Sequence, residues 1–284
     1  MITQTNRDFI GLLRPAITGE PAPAQCAPDA SLWREFYSLA RIHKVQGLMY
    51  RAVVEAGDGF CENLPVETAA ALLSDADVIR NTCEGHRRAV AGMEKLWRDC
   101  GVRAFLVKGL EAAAAYPHPE LRVLGDIDWW IPSRDDWKKA DEAVRKLGAK
   151  PVADSDGDIH YEWDGIVIEH HRTRMDGDAH VLHHACVKGA EFRHVCDCAA
   201  SRRSLAGANQ TPCPRRWTEI MDSVSEFILT GKEPSRDGSD FLEMTLSGAG
   251  TVRRAFFCLR ICPGYMLRRI AGLVLGRIKR IFYI

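Results

Sequence analysis

Asp126 and Asp128 stand two residues apart in Gly125-Asp126-Ile127-Asp128-Trp129-Trp130-Ile131, a run that reads as a strand closed by Pro132-Ser133. On a strand this spacing puts both carboxylates on one face and Ile127 on the other. Like charges so close repel; a divalent cation removes the repulsion and takes both groups as hard oxygen ligands, as magnesium is held beside substrate phosphates. Two solvated acids at a strand end would carry the same spacing. Glu169 shifts the balance: in a later strand over 165–171, Val167, Glu169 and His171 share one face while Ile166, Ile168 and His170 take the other. Three acids meeting across neighbouring strands suit a metal-assisted attack of a hydroxyl on a triphosphate.

Lys108-Gly109 falls where a strand over 102–107 hands over to an alanine-rich helix over 110–116. A glycine there lets a phosphate approach the backbone, the helix start supplies free N–H groups, and Lys108 adds a full charge. A plain turn is the bland alternative. Arg122, four residues before Asp126, is a second candidate phosphate contact or a loop cation.

Around these residues the patterns switch. Helical spacing runs over 31–56, interrupted at His43-Lys44, and again over 66–100, where Gly101 is placed to end it. Strand, turn, helix and strand follow over 101–131, then a helix over 135–147 stopped by Gly148 and a hairpin rich in Asp and Gly leading into the strand over 165–171. Helical patterns resume over 179–188, 191–201, 215–229 and from 251 onward, with loops over 206–214 and 231–239. The expectation is an N-terminal helical region (1–100), an α/β core (101–175) and a C-terminal helical region (176–284).

The chain has 284 residues, 46% hydrophobic and 27% charged, which excludes disordered and collagen-like classes. Lys plus Arg and Asp plus Glu balance at 38 each, and no basic stripe with interleaved aromatics borders the candidate site, so nucleic acid is not the expected partner. Ten cysteines lie scattered without a C-x-x-C pair, and Met1–Pro15 carries no signal-peptide apolar region, so a reduced, cytoplasmic protein is expected.

The segments Phe105-Leu106-Val107-Lys108-Gly109, Tyr116-Pro117, Arg122, Gly125-Asp126-Ile127-Asp128 and Ile168-Glu169-His170-His171 together resemble the uncharacterised nucleotidyltransferases of the DNA polymerase β superfamily, often encoded beside bacterial surface-polysaccharide genes. Weaker echoes lie in residues 40–45, 183–186 and 192–197. The resemblance implies an α/β (α+β) nucleotidyltransferase core with a small mixed sheet between helical regions. It makes Asp126 and Asp128 paired ligands of Mg2+ (or Mn2+), Glu169 the third acid, and Lys108-Gly109 the counterpart of the superfamily's Gly-Ser phosphate turn. The implied reaction moves a nucleoside monophosphate from a nucleoside triphosphate to an acceptor hydroxyl on a sugar, small molecule or protein. Loss of either aspartate is expected to abolish it with the fold intact. Lys-Gly for Gly-Ser, and Glu169 where Asp is usual, keep open a catalytically inactive nucleotide- or partner-binding module linked to surface-polysaccharide assembly.

Two features stand apart. His170, His171, His180, His183 and His184 crowd a short span, with His180 and His184 one helical turn apart, the spacing of a zinc-binding pair as well as of packed histidines. Residues 264–284 place Arg268, Arg269, Lys279 and Arg280 on one helical arc and Leu267, Ile270, Leu273, Val274, Ile278 and Ile281 on the other. That pattern suits peripheral contact with an anionic membrane, or packing on the protein's own core.

Overall fold

The computed structural model describes residues 2–21, 27–57, 59–153, 158–174, 177–187, 189–203 and 213–268. Helices α1 (Gln4–Thr18), α2 (Ala30–Ile42) and α3 (Gln46–Ala56) lead into a 35-residue helix, α4 (Val66–Cys100), which ends at Gly101 with φ 62°. There follow β1 (Phe105–Val107), α5 (Gly109–Ala113), a 3-10 turn (Pro119–Leu121), β2 (Ile127–Trp130) and α6 (Arg134–Lys146). Then come β3 (Val152–Ala153), β4 (Ile159–Trp163), β5 (Ile166–His171), α7 (Gly177–Val187), α8 (Phe192–Arg203), α9 (Arg215–Thr230), α10 (Arg236–Leu246) and α11 (Thr251–Ile261).

The five strands form one mixed sheet in the order β1-β2-β5-β4-β3, with β2 and β5 parallel and the other neighbours antiparallel. The fold is α+β. Side chains alternate across the strands: Leu106, Ile127, Trp129, Ile168 and Tyr161 pack with Val90, Met93 and Trp97 of α4 and with Trp137, Ala140 and Val144 of α6. The opposite face carries Val107, Asp128, Glu169, His160 and His171. One sheet face is therefore paid into the core and the other is left for chemistry.

A second core joins the two ends of the chain. Phe9, Ile10, Leu13 and Ile17 of α1, Trp33 and Phe36 of α2 and Met49 of α3 pack with Phe192, Val195, Trp217, Val224, Phe241 and Leu242 of the later helices. The sequence division at 100 and 175 follows the chain but not this packing, because the flanking regions share one core. Helix α1 lacks a sequence-level counterpart: Pro15 stands inside it, and its buried stripe is read only once α9 lies across it. Helix α10 begins within the stretch expected as a loop over 231–239, its start capped by the Ser235 hydroxyl accepting the Gly238 N–H. The loop expected over 206–214 lies mostly outside the described residues, as does the basic arc from 269 onward. Among the described residues no helix is long and apolar enough to cross a membrane.

The loop that delivers the acids is pinned from below. Gly47 of α3 lets the helix meet the Leu121 carbonyl so closely that a Cβ there would stand 1.9 Å from the oxygen. The His86 ring of α4 lies between the carbonyl oxygens of Thr82 (2.9 Å) and Gly125 (2.8 Å), fixing the residue before Asp126.

Candidate active site

Pairing of β2 with β5 sets Asp128 directly opposite Glu169, and pairing of β5 with β4 sets Glu169 opposite His160. Asp128 is 2% exposed. Its Oδ1 receives the Lys108 ammonium at 3.0 Å and His171 Nε2 at 2.7 Å. His171 Nδ1 in turn meets Asp158 at 2.8 Å, Nε2 lies 3.4 Å from Glu169 Oε2, and His160 Nδ1 lies 2.9 Å from Glu169 Oε1. One oxygen or nitrogen from each of Asp128, Glu169 and His171 falls within 4.8 Å of the other two. Asp126 stands just before β2, exposed, and outside that triplet, though its charge reaches Glu169 and Lys108.

The charges explain one another. Burial works against the Lys108 ammonium and the Asp128 carboxylate, yet their mutual attraction wins: Lys108 titrates above its ordinary value and Asp128 below, with His171 reinforcing the latter. Glu169 is raised by burial and by Asp126 and Asp128. His170 on the core face is pushed down to about 3 by burial and by the His171 charge; it packs against Trp97, Trp137 and Tyr161.

His171 goes the other way: burial opposes its charge, but hydrogen bonds to Asp128 and Asp158 raise it to about 9. The folded value exceeds the ordinary 6.5, so the imidazolium stabilises the fold fully below that pH and the contribution is lost as pH rises through about 9. It amounts to about 3 kcal/mol. Urea unfolding of metal-free protein is expected to lose that much between pH 6 and pH 10 relative to His171→Gln. Parallel pH curves for the two chains would contradict the assignment.

Lys108 has φ 61° and ψ −153°, a region nearly confined to glycine. This strain sits at the residue that carries the charge, and Gly109 beside it also has a positive φ, 45°. Both Lys108→Gly and Lys108→Ala delete the ammonium, but only glycine relieves the backbone. The glycine variant should therefore be the more stable by about 1 kcal/mol in urea unfolding, net of glycine's greater freedom in the unfolded chain. Equal midpoints would mean that the turn is unstrained. Helix α5 spans five residues, shorter than the helix expected over 110–116.

Arg122 occupies a different environment from the one expected of a phosphate contact. It is 4% exposed; its Nε and Nη2 donate to the two carboxylate oxygens of Asp197 at 2.8 and 2.6 Å, and the Tyr116 hydroxyl donates to the same group at 2.8 Å. That clamp ties the loop before β2 to α8. Asp158 and His160 join the site without having been singled out from sequence; the alternation Ile159-His160-Tyr161-Glu162-Trp163 was the available signal. His171 faces the acids, as the strand alternation requires.

Two carboxylates and an imidazole within reach of one another, with a third carboxylate beside them, are a donor set that fits Mg2+ or Mn2+. A family model described as uncharacterised nucleotidyltransferase matches residues 29–179, which take in α2 through β5 and every residue of this cluster. No curated protein and no solved structure matches the chain.

Proposed function

The chain belongs to the uncharacterised nucleotidyltransferase family, and from that premise we propose that it moves a nucleoside monophosphate from a nucleoside triphosphate to an acceptor hydroxyl, releasing pyrophosphate. The supporting observation is the Asp128–Glu169 pairing across parallel strands beside Lys108. Asp126, Asp128 and Glu169 would hold Mg2+ (or Mn2+), which when bound neutralises the phosphate oxygens and stabilises charge on the leaving group. Lys108 contributes a fixed positive charge for the triphosphate, and Gly109 lets the chain pass close to it. Glu169 orients the acceptor hydroxyl and takes its proton as the acceptor oxygen bonds to the α-phosphorus and the bond to pyrophosphate breaks. His171 and Asp158 keep Asp128 and Glu169 in register. The acceptor is a sugar, a small molecule or a protein side chain, in a cytoplasmic setting.

A specific observation favours the second reading, a nucleotide- or partner-binding module without turnover: Lys108 and His171 already neutralise Asp128 from within the chain. Incubation with Mg2+ and each nucleoside triphosphate separates the two. Pyrophosphate release that disappears in Asp126→Ala supports transfer; triphosphate binding without release, across acceptor extracts, supports the module.

A further inference from the structure

Beyond the acids, the structure gathers three imidazoles. His180 and His184 lie one turn apart on α7 with ring centroids 4.4 Å apart, and His194 in the first turn of α8 closes the group at 4.9 Å from His180 and 4.6 Å from His184. The local spacing exposes the first pair; His194 joins only through the packing of α8 on α7. A nitrogen from each ring falls within 4.8 Å of the other two. We infer that His180, His184 and His194 form a three-histidine centre for a borderline divalent transition metal, Zn2+ foremost, separate from the acids around Asp128.

The ligand type and the geometry agree. Neutral imidazole is a preferred donor for zinc, and nitrogens bound at 2.0–2.1 Å around a tetrahedral ion stand about 3.3 Å apart. To reach that spacing the three nitrogens draw together from within 4.8 Å, two of them on one helix and the third on its packed neighbour. His194 is 5% exposed, and its Nδ1 is buried with no hydrogen-bond partner. A polar atom in that position calls for a partner; a cation supplies one when the ring's proton sits on Nε2, which also lies 3.2 Å from the Arg193 guanidinium.

Glu191 stands beside the group, its Oε2 3.8 Å from His194 Nε2, held there by Lys44 at 2.8 Å and Arg193 at 3.1 Å. Three protein nitrogens leave a fourth position open, which is the ligand count of catalytic rather than structural zinc. The centre itself forms whether or not the chain transfers nucleotides.

The test is elemental analysis of the full chain, grown with zinc and purified without an affinity tag or chelator. About one zinc per chain is expected in the wild type and in Asp128→Asn, and little in a His180→Ala/His184→Ala double variant. Cobalt substitution should give the visible bands of a tetrahedral ion, lost in His194→Gln. Zinc no higher than the buffer blank, equal zinc in the double variant, or zinc lost from an Asp128→Asn chain that circular dichroism shows to be folded would each overturn the centre. If the histidine variants do not fold, the 15N resonances of the wild-type histidines decide: three rings shifting on zinc titration support the centre, and none shifting refutes it.

Discussion

Asp126→Ala is expected to lower nucleotidyl transfer by at least about 10³-fold while leaving the unfolding free energy within about 0.5 kcal/mol, whereas Asp128→Ala loses activity and stability together. The difference follows from where the two carboxylates stand. Asp126 is exposed at the mouth of β2, so its removal takes a negative charge from the site and disturbs little packing. Asp128 is 2% exposed and accepts from Lys108 at 3.0 Å and from His171 at 2.7 Å. Deleting it takes from Lys108 and His171 the buried carboxylate they share, a loss of about 3–5 kcal/mol. On this account the fold stays intact without Asp126 and loses stability without Asp128, where the sequence alone leads one to expect it intact in both cases. Urea unfolding beside pyrophosphate release checks both halves, and an active Asp126→Ala would remove that residue from the chemistry.

The second large effect is on stability. Arg122→Ala should cost about 3–5 kcal/mol, because the guanidinium and Asp197 form a bidentate buried pair that also receives the Tyr116 hydroxyl. For a chain of this size that lowers the melting temperature by about 10 °C. Asp197→Asn should cost a similar amount, and the double variant should cost less than the sum of the two, because the partners fail together. Below the melting transition, the KM for triphosphate should stay within a few-fold of wild type. A tenfold rise in KM at unchanged stability would instead return Arg122 to the phosphates.

Much of the candidate site is legible in the sequence because a strand has a period of two. Placing Ile168 and His170 in the core puts Glu169 and His171 on the other face, and the same count puts Ile127 opposite Asp128. What alternation leaves open is which strands lie side by side: the parallel β2–β5 pairing that sets Asp128 against Glu169 spans 41 positions and rests on long-range packing. Arg122 fails to declare its role for the same reason. Beside two acids it reads as a phosphate contact, and Asp197, 75 positions away, has no local mark as its partner. The long helix over 66–100 is legible because Gly101 gives it a left-handed stop, whereas α1 is obscured by Pro15 and by a buried face that only α8 and α9 explain.

Transfer of a nucleotide rather than a phosphate is the central claim, and the position of the label tests it most directly. Purified protein with Mg2+ and an acceptor extract would be given the same nucleoside triphosphate labelled at the α- or at the γ-phosphorus. Label from the α-phosphorus on the acceptor, with γ-label leaving as pyrophosphate and neither seen with Asp126→Ala, is the predicted result. Label reaching the acceptor from the γ-phosphorus, or tight binding with no label moved from either position, would contradict it.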